Sequence, residues 1–313
     1  MPAAPRIDPK EVFSAAEWER LTTPSRWRGL ALVAHCWGVI LAGGALFVLF
    51  PNPFTYILAV MIIGARQLGL AVLMHDAAHG ALHPDPEVND VIGRWFCGAP
   101  TNADLVRYRN YHLQHHKFVQ QPEDPDLGLS APFPISRASF QRKAVRDLTG
   151  QTFYKQRIAP IFAAYADGKA KGRPRQVVTK GVVAFFRDFL IVNGVILAGL
   201  SAMGLWWAYF ALWLLPMASW YPLVTRVRNI AEHACLTDND DPFRTARTTH
   251  AGFIERALVA PYYVNYHCEH HLFMYLPCWR LPEAHRLMLA KGLGVKMERK
   301  PSYLAVLRIA TSA

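Results

Sequence analysis

Residues 29–50, GLALVAHCWGVILAGGALFVLF, are followed by Pro51-Asn52-Pro53 and then by residues 54–74, FTYILAVMIIGARQLGLAVLM. The first run has no formally charged side chain, and only Arg66 charges the second. A helix rising about 1.5 Å per residue needs about 20 apolar residues to cross a hydrocarbon core of about 30 Å. Each run meets that length, and the prolines between them stop one helix and start the next. The pattern returns at 181–203 and 205–224, joined at Gly204, with Arg187 and Asp188 near the start of the third run. Core helices of a soluble protein keep a polar face, and these runs have none. The fold class that follows is an all-α integral membrane protein with four transmembrane helices in two hairpins.

The rest of the chain is polar enough to orient those spans. Lys and Arg total 34 against 23 Asp and Glu, a net charge of +11 over 313 residues. Five of the basic residues precede the first span, 15 lie in 75–180 and 12 in 225–313. The hairpin tips carry none, and Arg66 and Arg187 complete the count. Retention of basic residues on the cytoplasmic side predicts that segments 1–28, 75–180 and 225–313 are cytoplasmic, both termini included. The N-terminal segment mixes acidic and basic groups without an apolar core, unlike a cleavable signal. Cys36, Cys97, Cys235, Cys268 and Cys278 form no CxxC and no disulfide spacing. No solenoid repeat is present, so residues 1–313 form a single domain: four spans and a cytoplasmic helical cap. Within the cap, 81–110 is expected to be bent or interfacial helix, 166–177 a flexible basic surface segment, and 251–266 a helix near the interface. Nucleic-acid binding finds no support, since the basic residues follow membrane orientation.

Histidine is the second signal. Nine of the 13 His fall in four compact clusters: HDAAH at 75–79, HLQHH at 112–116, NIAEH at 229–233 and HCEHH at 267–271. Each cluster follows an even number of predicted crossings, so all four are expected at one membrane surface. Residues at i, i+3 and i+4 share a helix face. His75 with His79, His112 with His115 or His116, and His267 with His270 or His271 are thus ligand pairs. The adjacent His of each HxxHH diverge by about 100° and suit two ions side by side. With His233 there are nine candidate ligands, too many for one ion and suited to two five- or six-coordinate ions. Imidazole binds iron, zinc, copper and nickel alike, and oxygen chemistry favours iron in an open pair. Asp76, Glu232 and Glu269 sit inside the clusters and are expected to accept N–H bonds from ligand imidazoles. His35, His83 and His250 read as interfacial or hydrogen-bonded residues, with His83 close enough in sequence to His79 to support it.

These motifs resemble the membrane fatty acid desaturase superfamily, the histidine-box diiron desaturases and hydroxylases. The likeness runs from about Met61 to His285. It rests on HDAAH, HLQHH and HCEHH in order, on NIAEH between the last two, on Gln121-Pro122-Glu123-Asp124-Pro125-Asp126 and on the Pro277, Leu281, Pro282 and His285 tail. The resemblance implies two Fe ions, replaceable by another divalent metal in a purified sample, with O2 as co-substrate and a membrane lipid as substrate. It implies that His75, His79, His112, His115, His116, His233, His267, His270 and His271 hold the metals, and that Asn229 holds a water on one of them.

Desaturation of an acyl chain is the leading expectation. Hydroxylation or ketolation of a sphingolipid, carotenoid or other hydrophobic substrate is the alternative, because the product depends on small differences in positioning. Electrons must come from a separate ferredoxin or cytochrome b5 type donor with its reductase, since neither a cysteine cluster nor a haem-binding HPGG segment is present. A membrane zinc protease is disfavoured by the lack of HExxH. A metal transporter would place polar ligands at mid-membrane depth, unlike these clusters. Arg66 is expected to snorkel, pair with Asp188 or hold a headgroup. Trp206, Trp207 and Trp213 are expected to anchor and pack, with Trp220 nearest the metals.

Overall fold

The computed structural model describes residues 6–236 and 240–313. Three helices among them are long and apolar enough to cross a membrane: α1 (Arg28–Leu49), α2 (Pro53–Ala78) and α4 (Arg175–Ala202). Between α2 and α4 lies α3 (Leu105–Phe118), and α5 (Trp220–His233) and α6 (His267–Leu272) follow. The only sheet among the described residues is a parallel pair, β1 (Thr248–Thr249) with β2 (Arg299–Lys300), which ties the C-terminal segment to the cap.

The first hairpin forms as its sequence dictates. Asn52 Oδ1 accepts from the amides of Phe54 and Thr55 at 3.0 and 3.1 Å, so α2 restarts directly with Pro53 in its first turn. From there α2 runs through the middle of the molecule, packed by α1, α3 and α5. Its second half, from Ile63 to Ala78, is buried except for the half-buried Ala71. α4 is the opposite case. It has one buried residue, Asn193, and presents Val183, Phe185, Leu190, Ile191 and Val195 outward. That surface suits hydrocarbon rather than water.

The fourth apolar run is not one continuous helix. It passes through Trp206–Ala208, a wide π turn at Tyr209–Leu214 and Leu215–Ala218 before α5 starts. Pro216 cannot donate to the turn behind it, and Ser219 leaves helical geometry at φ −125° and ψ −77°. α5 then extends past the expected end at 224, so that Asn229 and His233 lie on it. The basic segment expected to be flexible is instead the end of helix Ala159–Ala170, a turn at Gly172 (φ +63°), and the first turn of α4. Residues 81–110 are bent helix as expected: Pro86–Ile92, a π turn at Gly93–Gly98 and a short 3-10 turn. The 251–266 stretch is helical at Phe253–Leu258, with Phe253 and Ile254 exposed, and in a short 3-10 turn at Pro261–Tyr263.

Two charges expected to meet do not. Asp188 binds Arg94 at 2.6 and 3.0 Å and Arg187 at 3.1 Å. Arg66 is buried and donates Nη2 to the carbonyls of Arg256 and Ala257, while its guanidinium lies 5.5 Å from the centre of the Tyr262 ring. It thus serves a helix end, where orphan carbonyls need donors.

Close approach positions the end of α2. A Cβ added at Gly93 would lie 2.4 Å from Ala77 Cβ, between His75 and His79 in sequence. Gly93→Val should therefore destabilise the protein by about 1–3 kcal/mol and lower its metal content. Thermal unfolding in detergent and metal analysis would test this, and an unchanged midpoint with full metal would show that the contact can relax.

Candidate metal centre

Four stretches of chain deliver the nine clustered imidazoles to one place. α2 contributes His75 and, at its C-terminal cap, His79. α3 contributes His112, His115 and His116, α5 ends on His233, and α6 carries His267, His270 and His271. Arg109, three residues before His112, fixes α3 against the end of α2. It donates to the carbonyls of Ala78 and Ala77 at 3.0 and 3.1 Å and binds Asp90. Those carbonyls are the ones a helix leaves unpaired at its C-terminus.

The rings sort into two sets, within each of which the nitrogens lie within 4.8 Å of one another. One set is His75, His79, His112, His116 and His270, and the other is His115, His233, His267 and His271. The i, i+4 pairs His112 with His116 and His267 with His271 stay together. Their neighbours His115 and His270 cross to the opposite set, as the helical angle between adjacent residues requires.

Within the sets, Nε2 atoms face each other at 3.0 Å (His112–His116), 2.9 Å (His116–His270), 2.9 Å (His233–His267) and 3.1 Å (His267–His271). Two nitrogens about 2.1 Å from one ion and at right angles would be about 3.0 Å apart, whereas tetrahedral placement gives about 3.4 Å. The spacing therefore fits an ion with five or six ligands. His75 Nε2 and both ring nitrogens of His79 are buried without a hydrogen-bond partner. Buried imidazoles left this way need a cation at their centre, so the residues fit a metal pair.

Supporting groups set the tautomers from behind. His115 Nδ1 donates to Asp124 Oδ1 at 2.8 Å, and His233 Nδ1 donates to the Thr245 carbonyl at 3.1 Å, which turns both Nε2 atoms inward. Asp124 is itself held by the amides of Gln120 and Asp126. Glu232 Oε1 lies 3.4 Å from His267 Nδ1 and takes Arg228 Nε at 2.5 Å. The bonds expected from Asp76 and Glu269 to ligand imidazoles go elsewhere. Asp76 Oδ1 is 3.6 Å from His75 Nδ1, and its other oxygen accepts from the Cys278 amide at 2.9 Å. Glu269 accepts from Thr248 Oγ1 and His285 Nδ1, tying α6 to β1 and to the helix Leu281–Ala290. A carboxylate between two ligands on one helical turn projects away from them.

Asn229 lines a cavity of about 30 Å³ with Arg228, Glu232, His112, His115, His233 and His267, about the volume of one water. His83 lies apart, its Nδ1 accepting from the Asp85 amide, and His35 Nδ1 meets the Tyr262 hydroxyl at 3.0 Å. Arg109, Asp124 and Arg228 were not legible as site residues. Their only traces are Asp124 within the acidic run after HLQHH and Arg228 one turn before Glu232.

Burial, then the neighbouring imidazoles, holds His112, His116, His270 and His271 well below the usual imidazole value, and burial, then the Arg109 charge, holds His79 at about 3. His233 and His267 are lowered in the same direction, again first by burial. Burial pushes Glu232 up to about 8 against the pull of Arg228. At neutral pH the rings are therefore uncharged, with lone pairs free for metal.

Set beside known proteins, the centre gains a lineage. The family model described as Fatty acid desaturase matches residues 51–298. Dihydrorhizobitoxine desaturase of Bradyrhizobium elkanii is 30% identical over 277 residues, covering 85% of this chain and 76% of that protein. A beta-carotene ketolase of Paracoccus sp. (strain PC1) is 22% identical over 259 residues, covering 82% of this chain and 90% of the ketolase. A second beta-carotene ketolase, of Paracoccus sp. (strain N81106 / MBIC 01143), is 24% identical over 225 residues, with 69% and 73% covered. A buried double histidine cluster at the ends of membrane-type helices defines a non-haem diiron membrane oxidoreductase. The chain belongs to the fatty acid desaturase family. The protease and transporter readings fall away with that membership.

Two predictions follow from the supporting shell and the buried rings. Asp124→Asn should weaken metal binding by about 10–100-fold, read by competition with a chelator; undiminished affinity would remove Asp124 from the support of His115. The imidazoles are lowered in the folded state relative to about 6.5 unfolded. Their contribution to stability is complete above pH about 6.5 and is lost as pH falls further, because the unfolded chain then binds more protons. The thermal midpoint of metal-free protein should decline steadily below pH 6.5, and a midpoint flat to pH 5 would contradict the buried neutral cluster.

Proposed function

We propose that this chain uses dioxygen and two electrons to oxidise an unactivated C–H bond in a lipid acyl chain, with desaturation as the outcome. The observation that carries the reading is the sorting of nine imidazoles into two adjacent sets. In this reading His75, His79, His112, His116 and His270 hold one iron, and His115, His233, His267 and His271 hold the other. Asn229 holds a water beside the second set. The irons supply the oxidising power that side chains lack. Overall, a –CH2–CH2– unit loses two hydrogens, and O2 takes these, two electrons and two protons to give two waters.

What the chain itself does is hold, orient and exclude. Asp124 and the Thr245 carbonyl fix ring orientation. Arg228 and Glu232 line the small cavity beside Asn229, and their pairing there favours one set of hydrogen bonds to whatever sits in it. The membrane topology that goes with this reading has four crossings in two hairpins, the last one discontinuous at Pro216 and Ser219. Both termini and the metal site are then cytoplasmic, by the distribution of Lys and Arg. Electrons come from a separate ferredoxin or cytochrome b5 type donor, drawn by the net charge of +11.

Hydroxylation or ketolation is the second reading, and the two beta-carotene ketolases among the relatives favour it. Mass spectrometry of lipids from cells expressing the chain separates the two: a loss of 2 Da marks desaturation, whereas a gain of 16 Da marks hydroxylation and a gain of 14 Da marks ketolation. His115→Ala or His270→Ala should abolish either change and deplete iron, and full activity with normal iron would overturn their assignment. Asn229→Ala should cut the rate by at least about tenfold with the fold intact, whereas an unaffected rate would take it out of the site.

A further inference from the structure

Between β1 and α6 the chain leaves the cap and comes back to it, and two rulers show how far it goes. Trp27 and Arg28, an exposed aromatic and a charge at the start of α1, mark where that helix meets water. Cys36 Sγ donates to the Arg66 carbonyl at 3.3 Å, so Arg66 is level with a residue eight places past Arg28, about 12 Å of helix. From the other side, Arg66 precedes His75 on α2 by nine residues, about 13 Å. Arg66 therefore lies well inside a hydrocarbon core of about 30 Å.

Residues 252–263 reach that level. Arg66 Nη2 donates to the carbonyls of Arg256 and Ala257, in the last turn of the helix Phe253–Leu258. The Tyr262 hydroxyl meets His35 Nδ1 at 3.0 Å, and a Cβ added at Gly69 would lie 2.7 Å from Tyr262 Cε2. The chain reverses through Tyr262 and Tyr263, both left-handed at φ +52° and +62°. Side chains rarely adopt that conformation, and tight surroundings must hold it. His267 follows four residues later, so the ligand helix α6 hangs from this turn.

Backbone outside a spanning helix persists in hydrocarbon only where protein satisfies its polar groups. Arg66 does so for the free carbonyls of the short helix, and Glu255 Oε2 does so for the Gly252 amide at 2.8 Å. A buried guanidinium and orphan carbonyls, each costly alone at that depth, answer each other. Arg256 folds its guanidinium to 5.1 Å from the Tyr263 ring, and a stem of that length reaches toward headgroups. What is left facing outward is apolar: Phe253 is 88% and Ile254 70% exposed.

We propose that residues 252–263 form a re-entrant wedge in the bilayer, and that the acyl chains of the leaflet are its partner, covering Phe253 and Ile254. Arg66 permits the insertion. Segment 225–313 is then not wholly outside the membrane, and the HCEHH box is suspended from the leaflet itself. This rests on α1 and α2 crossing the bilayer and is independent of the reaction catalysed.

Nitroxide labels test the wedge in full-length, zinc-loaded protein in phosphatidylcholine nanodiscs. Cys235→Ser is the background, since the other four cysteines are buried. A label at Ile254→Cys should collide several-fold more with dioxygen, which partitions into lipid, than with a water-soluble nickel chelate. A label at Val195→Cys, on the exposed face of α4, should behave alike, and one at Gln141→Cys, exposed in the cap, should show the reverse. Arg66→Met should turn the label at 254 water-like and Arg66→Lys should return it to lipid, in samples whose zinc content shows an intact metal centre. Water-like collisions at 254 with lipid-like ones at 195 would overturn the wedge alone, whereas water-like collisions at both would overturn the membrane crossing beneath it. A label at 254 shielded from both reagents would put a second copy of the chain there and overturn lipid as the occupant. A label still in lipid after Arg66→Met would overturn the part given to Arg66.

Discussion

Nine imidazole rings packed against each other in a closed space make a poor apolar core and a poor polar one. Their nitrogens approach to about 3 Å with lone pairs toward a common centre, and burial disfavours the protons that would relieve the repulsion. Metal cations resolve the conflict. Everything around the cluster can be understood as the means of holding four chain segments still against that repulsion. Arg109 clamps α3 to α2, Glu269 ties α6 to β1 and the helix Leu281–Ala290, and Asp76 pins the Cys278 loop to the end of α2.

The membrane part serves the same end. α2 can carry His75 and His79 to the right height because the half that bears them is packed inside the molecule, whereas α4 is exposed along almost all of its length. Small residues make that burial possible. A Cβ at Gly64 would come within 2.9 Å of Trp220 Cβ, so the bare backbone lets α5 approach α2 closely. Asn193 holds α4 in place by accepting from Tyr209 Oη at 3.1 Å and Trp213 Nε1 at 2.8 Å. In this arrangement Trp213 is a packing and hydrogen-bonding residue, stacked on Trp37, while Trp206 is exposed.

Hydropathy and histidine spacing carried most of the architecture. Three spans and the nine imidazoles were legible because each depends on local periodicity: run length for the spans, the i, i+4 rule for the rings. What could not be read depends on partners distant in sequence. The last apolar run is as hydrophobic as the others, yet Pro216 divides it, and only the packing decides whether a proline bends a helix or ends it. Arg66 looked for a carboxylate and found carbonyls of residues 256 and 257. Asp76 and Glu269 sit next to ligands in sequence but spend their hydrogen bonds on other partners, whereas Asp124, outside every box, stands behind His115. Adjacency along a helix is a poor guide to second partners, because neighbours one residue apart point in different directions.

The two sets of rings are unequal, and the inequality gives the centre a direction. Five imidazoles surround one position and four the other. The cavity with Asn229 and Arg228 opens onto His115, His233 and His267, all members of the smaller set, and onto only His112 of the larger. An ion with four protein ligands keeps room for a water or a reactant that an ion with five has largely lost. Exchangeable positions on such an ion would thus lie on the same side of the pair as the small cavity beside α5. In the proposed reading, reaction and substrate meet there beside α5, which carries His233 and lines the small cavity with Arg228, Asn229 and Glu232. A helix with so many duties cannot also be a straight anonymous span, which gives a functional reason for the break that sets α5 apart from the apolar segment before it.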